Sequence, residues 1–429
     1  MIFVIIILIL FNYVELYRLY KTYKFNIILF LLLIVSFSQW YVVPILLSEC
    51  GYWTFFEGML GISIDKYNYY ACLELAFYAI ILFFTRILKR FLIIRKYKIE
   101  NRNQTSINNV IIIVYCMIII YGIIKNNDYD QLNDIQNSQQ GMILSLLISL
   151  VSYYILANIF FVTGKKSKFY VILACSTSIL SVLRGVRIYI LSIVWIYIAC
   201  AYKYLKEKRY IKFFTPIIIG LFGSLLLVPI IAEKRTGGDV SSVPINIAVK
   251  AGLFHVNLKL NSIAYGSVLP EKDGIGFAGG TPYIGSFFKF LPRAIWPDKP
   301  TPLSYNGEIE GTPSRRIPRL VTTSDNLDTA NTGYSPLAIS LWQGPLFVLL
   351  SIVLNVIYLR SIIWCIANNS FWVKAIGLYL FTFPQLDRFP SSGDNIVQKL
   401  LEAIFLIGLL LCLRLIKIKR VRTSNRIIM

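Results

Sequence analysis

Apolar residues along this chain gather into long runs, and the Lys and Arg residues cluster in the short stretches between them. A hydrocarbon core roughly 30 Å thick takes about 20 apolar residues to cross as a helix. Eleven runs suit that role: residues 1–17, 25–47, 71–85, 109–124, 141–163, a pair within 169–202, 213–232, 336–358, 373–387 and 396–413. Together they would use about half of the chain. The expected fold is all-α: a polytopic integral membrane protein of about eleven transmembrane helices with one large extracytoplasmic loop.

The basic residues orient these spans. Short cytoplasmic loops are enriched in Lys and Arg. Arg18, Lys21 and Lys24 follow the first run, while the second leads to an acidic stretch with Glu49, Glu57 and Asp65. Arg86 to Lys98 form the most basic loop, and Lys165, Lys166 and Lys168 follow the fifth run. Residues 169–202 read as one very long helix or as two short ones meeting at Arg184-Gly185-Val186-Arg187. Basic clusters flank the stretch on both sides, so an even number of crossings must lie between them. Two helices with Arg184 and Arg187 at an outer turn satisfy that. The sum is an extracytoplasmic N-terminus, spans 1–8 in residues 1–232, a large loop at 233–335, spans 9–11 in 336–413 and a basic cytoplasmic tail at 414–429.

Composition agrees. Hydrophobic residues make up 56% of the 429 positions, charged ones only 15%, and mean hydropathy is +0.64. Soluble domains carry about 25% charged residues. A net charge of +21 with no soluble basic domain to carry it reflects membrane orientation, not nucleic-acid binding. No basic residue precedes the first apolar run and no small-residue cleavage site follows it, so it reads as a span and not a secretory signal. The seven cysteines form no CxxC pair, which argues against a zinc site or a redox dithiol. No GxxxxGK[ST], HExxH or GxSxG occurs, so ATP hydrolysis, zinc proteolysis and α/β-hydrolase chemistry lack their motifs.

Function is expected in Glu233–Ser335, where Gly, Pro and charge concentrate: eleven basic and nine acidic side chains. Residues 243–264 have helical rhythm and suit an amphipathic helix at the outer membrane boundary. Residues 274–302 are turn-rich and aromatic, as an irregular cap over a wet cavity would be. Arginines beside a membrane either snorkel to headgroups or bind phosphate through their planar fork. The outer set, Arg184, Arg187, Arg235, Arg293, Arg315, Arg316, Arg319 and Arg388, exceeds what anchoring needs, and an anionic ligand such as a diphosphate fits it. His255, the single histidine, is a packed residue or a general base. Asp298 and Glu310 either pair with neighbouring cations or take part in catalysis. Asp128-Tyr129-Asp130 has the DxD form of nucleotide-sugar sites but falls in a short outer loop, where nucleotide sugars are absent.

Three segments carry a resemblance. Phe290-Leu291-Pro292-Arg293-Ala294-Ile295-Trp296-Pro297-Asp298-Lys299-Pro300 is similar to the loop signature of the O-antigen and polysaccharide repeat-unit polymerases (Wzy type). Ser181–Arg187 resembles that family's turn of small residues and Arg. Thr332-Gly333-Tyr334-Ser335 leading into Trp342-Gln343-Gly344-Pro345 resembles its loop exit, though Ile339-Ser340-Leu341 stands where an acidic residue is expected. The resemblance implies a glycosyltransferase in the bacterial cytoplasmic (inner) membrane. It would move a growing glycan from undecaprenyl diphosphate onto the non-reducing end of an incoming lipid-linked unit, with neither cofactor nor metal. On that reading Arg187, Arg293 and Lys299, then Arg184, Arg235 and Arg316, hold the diphosphate, and His255, Asp298 or Glu310 supplies the base. Undecaprenyl-diphosphate-linked glycans, membrane lipid, a chain-length regulator and the pathway's flippase are the expected partners. An O-antigen ligase is the nearest rival. A lipid-linked oligosaccharide flippase is the transport alternative, and it would be expected to place charged residues inside the spans.

Overall fold

The computed structural model describes residues 1–47, 64–88, 97–101, 112–113, 116–117, 139–162, 168–183, 189–216, 218–219, 279–288, 296, 336–381 and 389–420. The chain is mostly helical. Among the described residues four helices are long and apolar enough to cross a membrane, and five shorter apolar ones accompany them. Most of the runs at 109–124 and 213–232, the amphipathic stretch at 243–264 and most of the 233–335 segment lie outside the described residues.

The chain divides into two compact units. The first comprises Met1–Arg90, Val249–Arg360 and Leu386–Glu402. Helix α1 (Ile2–Tyr23) runs six residues past its expected end, because Arg18 bonds back to Glu15 at 2.9 Å and carries the helix on. Lys24 then closes it in a left-handed conformation, its N–H donating to the Tyr20 carbonyl. Helix α2 (Ile27–Phe37) is capped by the Asn26 side chain, which accepts from the Ile28 N–H, and continues through a π turn at Ser38–Val42 into α3 (Val43–Leu47). Helix α4 (Ile64–Ile87) packs against α1 in the same direction: Asn12 donates to the Leu75 carbonyl and Tyr23 to that of Thr85.

The expected single span at 336–358 is two helices, α9 (Pro336–Gln343) and α10 (Pro345–Ala367), in place of one. Gly344 sits between them at a φ of 127°, open at low cost only to glycine, and Pro345 is pre-set for the first position of the second helix. Arg360 lies inside α10, buried, and donates to the Leu88 carbonyl. The turn-rich 274–302 stretch is not wholly irregular either, since Thr281–Phe287 form a short helix, α8, started by Gly280 and Pro282.

The second unit comprises Phe91–Ala248, Ser361–Gln385 and Ala403–Met429. Helix α5 (Gln139–Phe161) packs on α11 (Phe371–Leu380), where the Trp372 and Tyr154 rings stack at 3.9 Å. Gly377 lets α11 approach the end of α10 closely: a Cβ there would lie 2.8 Å from Ile366 Cγ1. Helices α6 (Lys168–Leu183) and α7 (Tyr189–Lys206) form a hairpin. Ser178 and Ser192 share a hydrogen bond of 3.0 Å, whereas one straight helix would separate them by about 21 Å. Last in chain order come α12 (Gly393–Cys412), which begins in the first unit, and a strand, β2 (Ile416–Arg420). The sequence reading did not foresee that β2 pairs antiparallel with β1 (Tyr97–Asn101), in a register that sets Glu100 opposite Lys417.

Candidate functional site

None of the nine site residues expected from the sequence falls within the described residues: Arg184, Arg187, Arg235, His255, Arg293, Asp298, Lys299, Glu310 and Arg316 all lie outside them. What the structure does show is a polar centre in the first unit that the sequence reading passed over. Some charge lies inside the helices as well as in the loops. Glu15, Glu74, Arg360, Asp394, Lys399 and Glu402 are all buried within helices.

Most of these charges are matched. Arg18 and Arg86 both reach Glu15, at 2.9 and 2.8 Å, and Lys399 and Gln398 hold Glu402 at 2.9 and 3.0 Å. Glu74 is the exception. It is fully buried midway along α4, beside the backbone N–H of Leu337 in the first turn of α9, yet neither carboxylate oxygen completes a hydrogen bond. Tyr41 is close to it, and the Tyr41 and Tyr78 rings lie 5.5 Å apart.

The richest cluster surrounds Asp394, where α8, the break between α9 and α10, and the start of α12 converge. Its construction follows from the sequence. Gly344 ends α9 so that Gln343, its last residue, donates to Asp394 Oδ1 at 3.2 Å. Asn355 clamps the approach to α12, donating to the Ser391 carbonyl at 2.7 Å and accepting from the Ser391 N–H at 2.8 Å. Segment 391–394 is therefore tied at one end to the third turn of α10 and at the other to Gln343. Gly393 has no side chain because the Tyr283 ring occupies that space: a Cβ would lie 2.8 Å from Tyr283 Cζ. Tyr283 in turn stacks on Phe347, with ring centroids 5.3 Å apart.

This cluster is left under-satisfied. Asp394 Oδ2, Gln343 Oε1, Tyr283 Oη and Ser286 Oγ have no hydrogen-bond partner, and Asp394, Gln343 and Ser286 are at most 1% exposed. Burial pushes the Tyr283 phenol above its usual range, and the neighbouring Asp394 carboxylate adds to the shift. Buried polar groups left unpaired each cost about 1–3 kcal/mol, so a cluster of them is an unusual concession for a fold. Among the described residues no three His, Cys, Asp or Glu side chains gather as metal ligands. One sequence signal marked Glu15 and Glu74: a lone carboxylate within an apolar run is a functional candidate by default.

No family model matches the chain, and neither the curated proteins nor the solved structures include a similar one.

Proposed function

We propose that this protein polymerises undecaprenyl-diphosphate-linked oligosaccharide repeat units into O-antigen or capsular polysaccharide. It acts as a metal-independent glycosyltransferase on the outer face of a bacterial cytoplasmic membrane. The observation that carries the reading is the sequence of the Phe290–Pro300 segment, whose Arg293 and Lys299 would neutralise a departing diphosphate. Its Trp296 ring lies against Phe288 at the end of α8, 5.7 Å between centroids. Eleven spans, an outer N-terminus and an inner C-terminus complete the proposal. The four long apolar helices support a membrane location. The β1–β2 pairing supports one side for the 86–98 loop and the C-terminal tail, as their shared basic character requires. The chain-length regulator and flippase of the same pathway are proposed partners.

The test is a gel of surface glycan from a deletion strain complemented with wild type, Arg187→Ala or Arg293→Ala. A polymerase deletion leaves its acceptor capped by a single repeat, and the arginine variants fail to restore the ladder at normal protein levels. Bare acceptor after deletion would rule polymerisation out.

One observation favours a second reading, transport of the lipid-linked unit. Glu74 is an unpartnered carboxylate inside a candidate span, the kind of residue that lines proton relays and substrate paths. Loss of a transporter traps single repeat units on the cytoplasmic side, and Glu74→Gln would reproduce that defect.

A further inference from the structure

The strand pair gathers basic residues that the sequence keeps far apart. Residues 95–101 and 414–422 carry eight Lys and Arg residues and a single carboxylate, Glu100. The register of β1 and β2 sets 97–101 directly alongside 416–420. Alternation along each strand sorts these positions onto two faces. Ile416, only 1% exposed, shares its face with Ile99 and Ile418, which stand opposite each other. Lys417 and Lys419 share the other face with Glu100 and Lys98. Glu100 stands opposite Lys417, but Lys98 stands opposite Lys419. Like charges directly opposite one another destabilise a strand pair. An anion laid against this face would offset the repulsion.

The place of the sheet in the chain says which anion. Strand β2 begins four residues after Cys412, the end of α12, a helix long and apolar enough to cross a membrane. Four residues reach at most about 14 Å even when fully extended. Headgroups occupy roughly 5–8 Å beyond the hydrocarbon, and an anionic surface acts over a further ~8 Å. With α12 crossing the membrane, the start of β2 falls inside that zone. We propose that the face of the β1–β2 sheet bearing Lys98, Lys417 and Lys419 docks on anionic phospholipid headgroups at the membrane surface where α12 ends. Docking of this kind is independent of the polymerase reading, since no step of glycosyl transfer enters it.

The experiment is thermal melting of the purified full-length protein in a nonionic detergent, titrated with phosphatidylglycerol, phosphatidylcholine or inorganic phosphate. Phosphatidylglycerol is expected to raise the melting temperature more than phosphatidylcholine, by an amount that shrinks as salt is added. Each Lys near an anionic surface is worth roughly fivefold in affinity. Replacing both Lys98 and Lys419 by Gln is therefore expected to raise the phosphatidylglycerol needed about 25-fold. A charge-matched control, Lys203 and Lys206 both replaced by Gln in α7, is expected to lose far less. Lys419→Glu tests the same face should the double variant not fold. It is expected to melt higher than wild type in lipid-free detergent, because it ends the Lys98–Lys419 repulsion, and to gain less from phosphatidylglycerol. Equal responses to the two lipids overturn the proposal, as does an unchanged response in the strand variants. Equal losses in the strand and α7 variants overturn it in favour of net charge alone. Stabilisation by inorganic phosphate equal to that by phosphatidylglycerol overturns it in favour of a free-anion site.

Discussion

Both units pack helices through aromatic contacts, but among the described residues they differ in how fully their buried polar groups are satisfied. In the second, contact is aromatic and close: Trp372 stacks on Tyr154, Gly377 admits the end of α10, and the buried Asn368 and Ser370 are both hydrogen-bonded at the start of α11. In the first, buried carboxylates, amides and hydroxyls thread the core, and oxygens of Glu74, Tyr78, Tyr283, Ser286, Gln343 and Asp394 go unpaired. No such unpaired oxygen occurs among the described residues of the second unit. Among the described residues, unmet hydrogen-bonding capacity lies in the first unit. A fold that leaves polar groups unsatisfied in one place while satisfying them elsewhere marks that place as the one shaped by something other than stability.

Four substitutions probe the contrast, each read as thermal or denaturant stability of the purified protein in detergent. Trp372→Ala should cost the most, about 3–5 kcal/mol, through lost burial, stacking and the cavity left behind. A loss well below that would mean the second unit is not held by its aromatic contacts. Glu15→Ala should follow at roughly 3 kcal/mol, since it strands Arg86 and Arg18 without the carboxylate they share. Asn355→Ala removes both bonds to the Ser391 backbone and should cost about 2 kcal/mol. Glu74→Gln should change stability least, by under ~1 kcal/mol and toward greater stability. It replaces a buried group that has no partner with a neutral one of the same shape. A large loss from Glu74→Gln would erase the distinction, because it would show that the carboxylate is held after all.

Much of the helical framework was legible in the sequence, since apolar length and the placement of Lys and Arg are physical requirements of a membrane. The α6–α7 hairpin follows from charge parity across Lys168 and Lys203. Where the reading missed, it treated charges as loop markers. Arg18 and Arg86 lie within helices, where both bond to Glu15. Pairing of that kind joins residues distant in sequence, such as 15 with 86, and no local pattern announces it. The α9–α10 break was in plain view as Gly344-Pro345, a stop followed by a start. The Asp394 cluster was not, because it forms only when segments near residues 283, 343 and 394 are brought together. The arginines and candidate bases of the long segment belong to residues outside those the structure describes.

The strand pair has a consequence in time. Residues 97–101 leave the ribosome more than 300 positions before 416–420, their partner strand. At ~5–20 residues per second, residues 97–101 wait roughly 15 to 60 s without the segment they pair with in the folded chain. An open strand edge pairs with whatever strand it meets. During that interval the backbone groups of 97–101 are without the partner they have in the folded chain, so the sheet closes only when the last part of the chain is made.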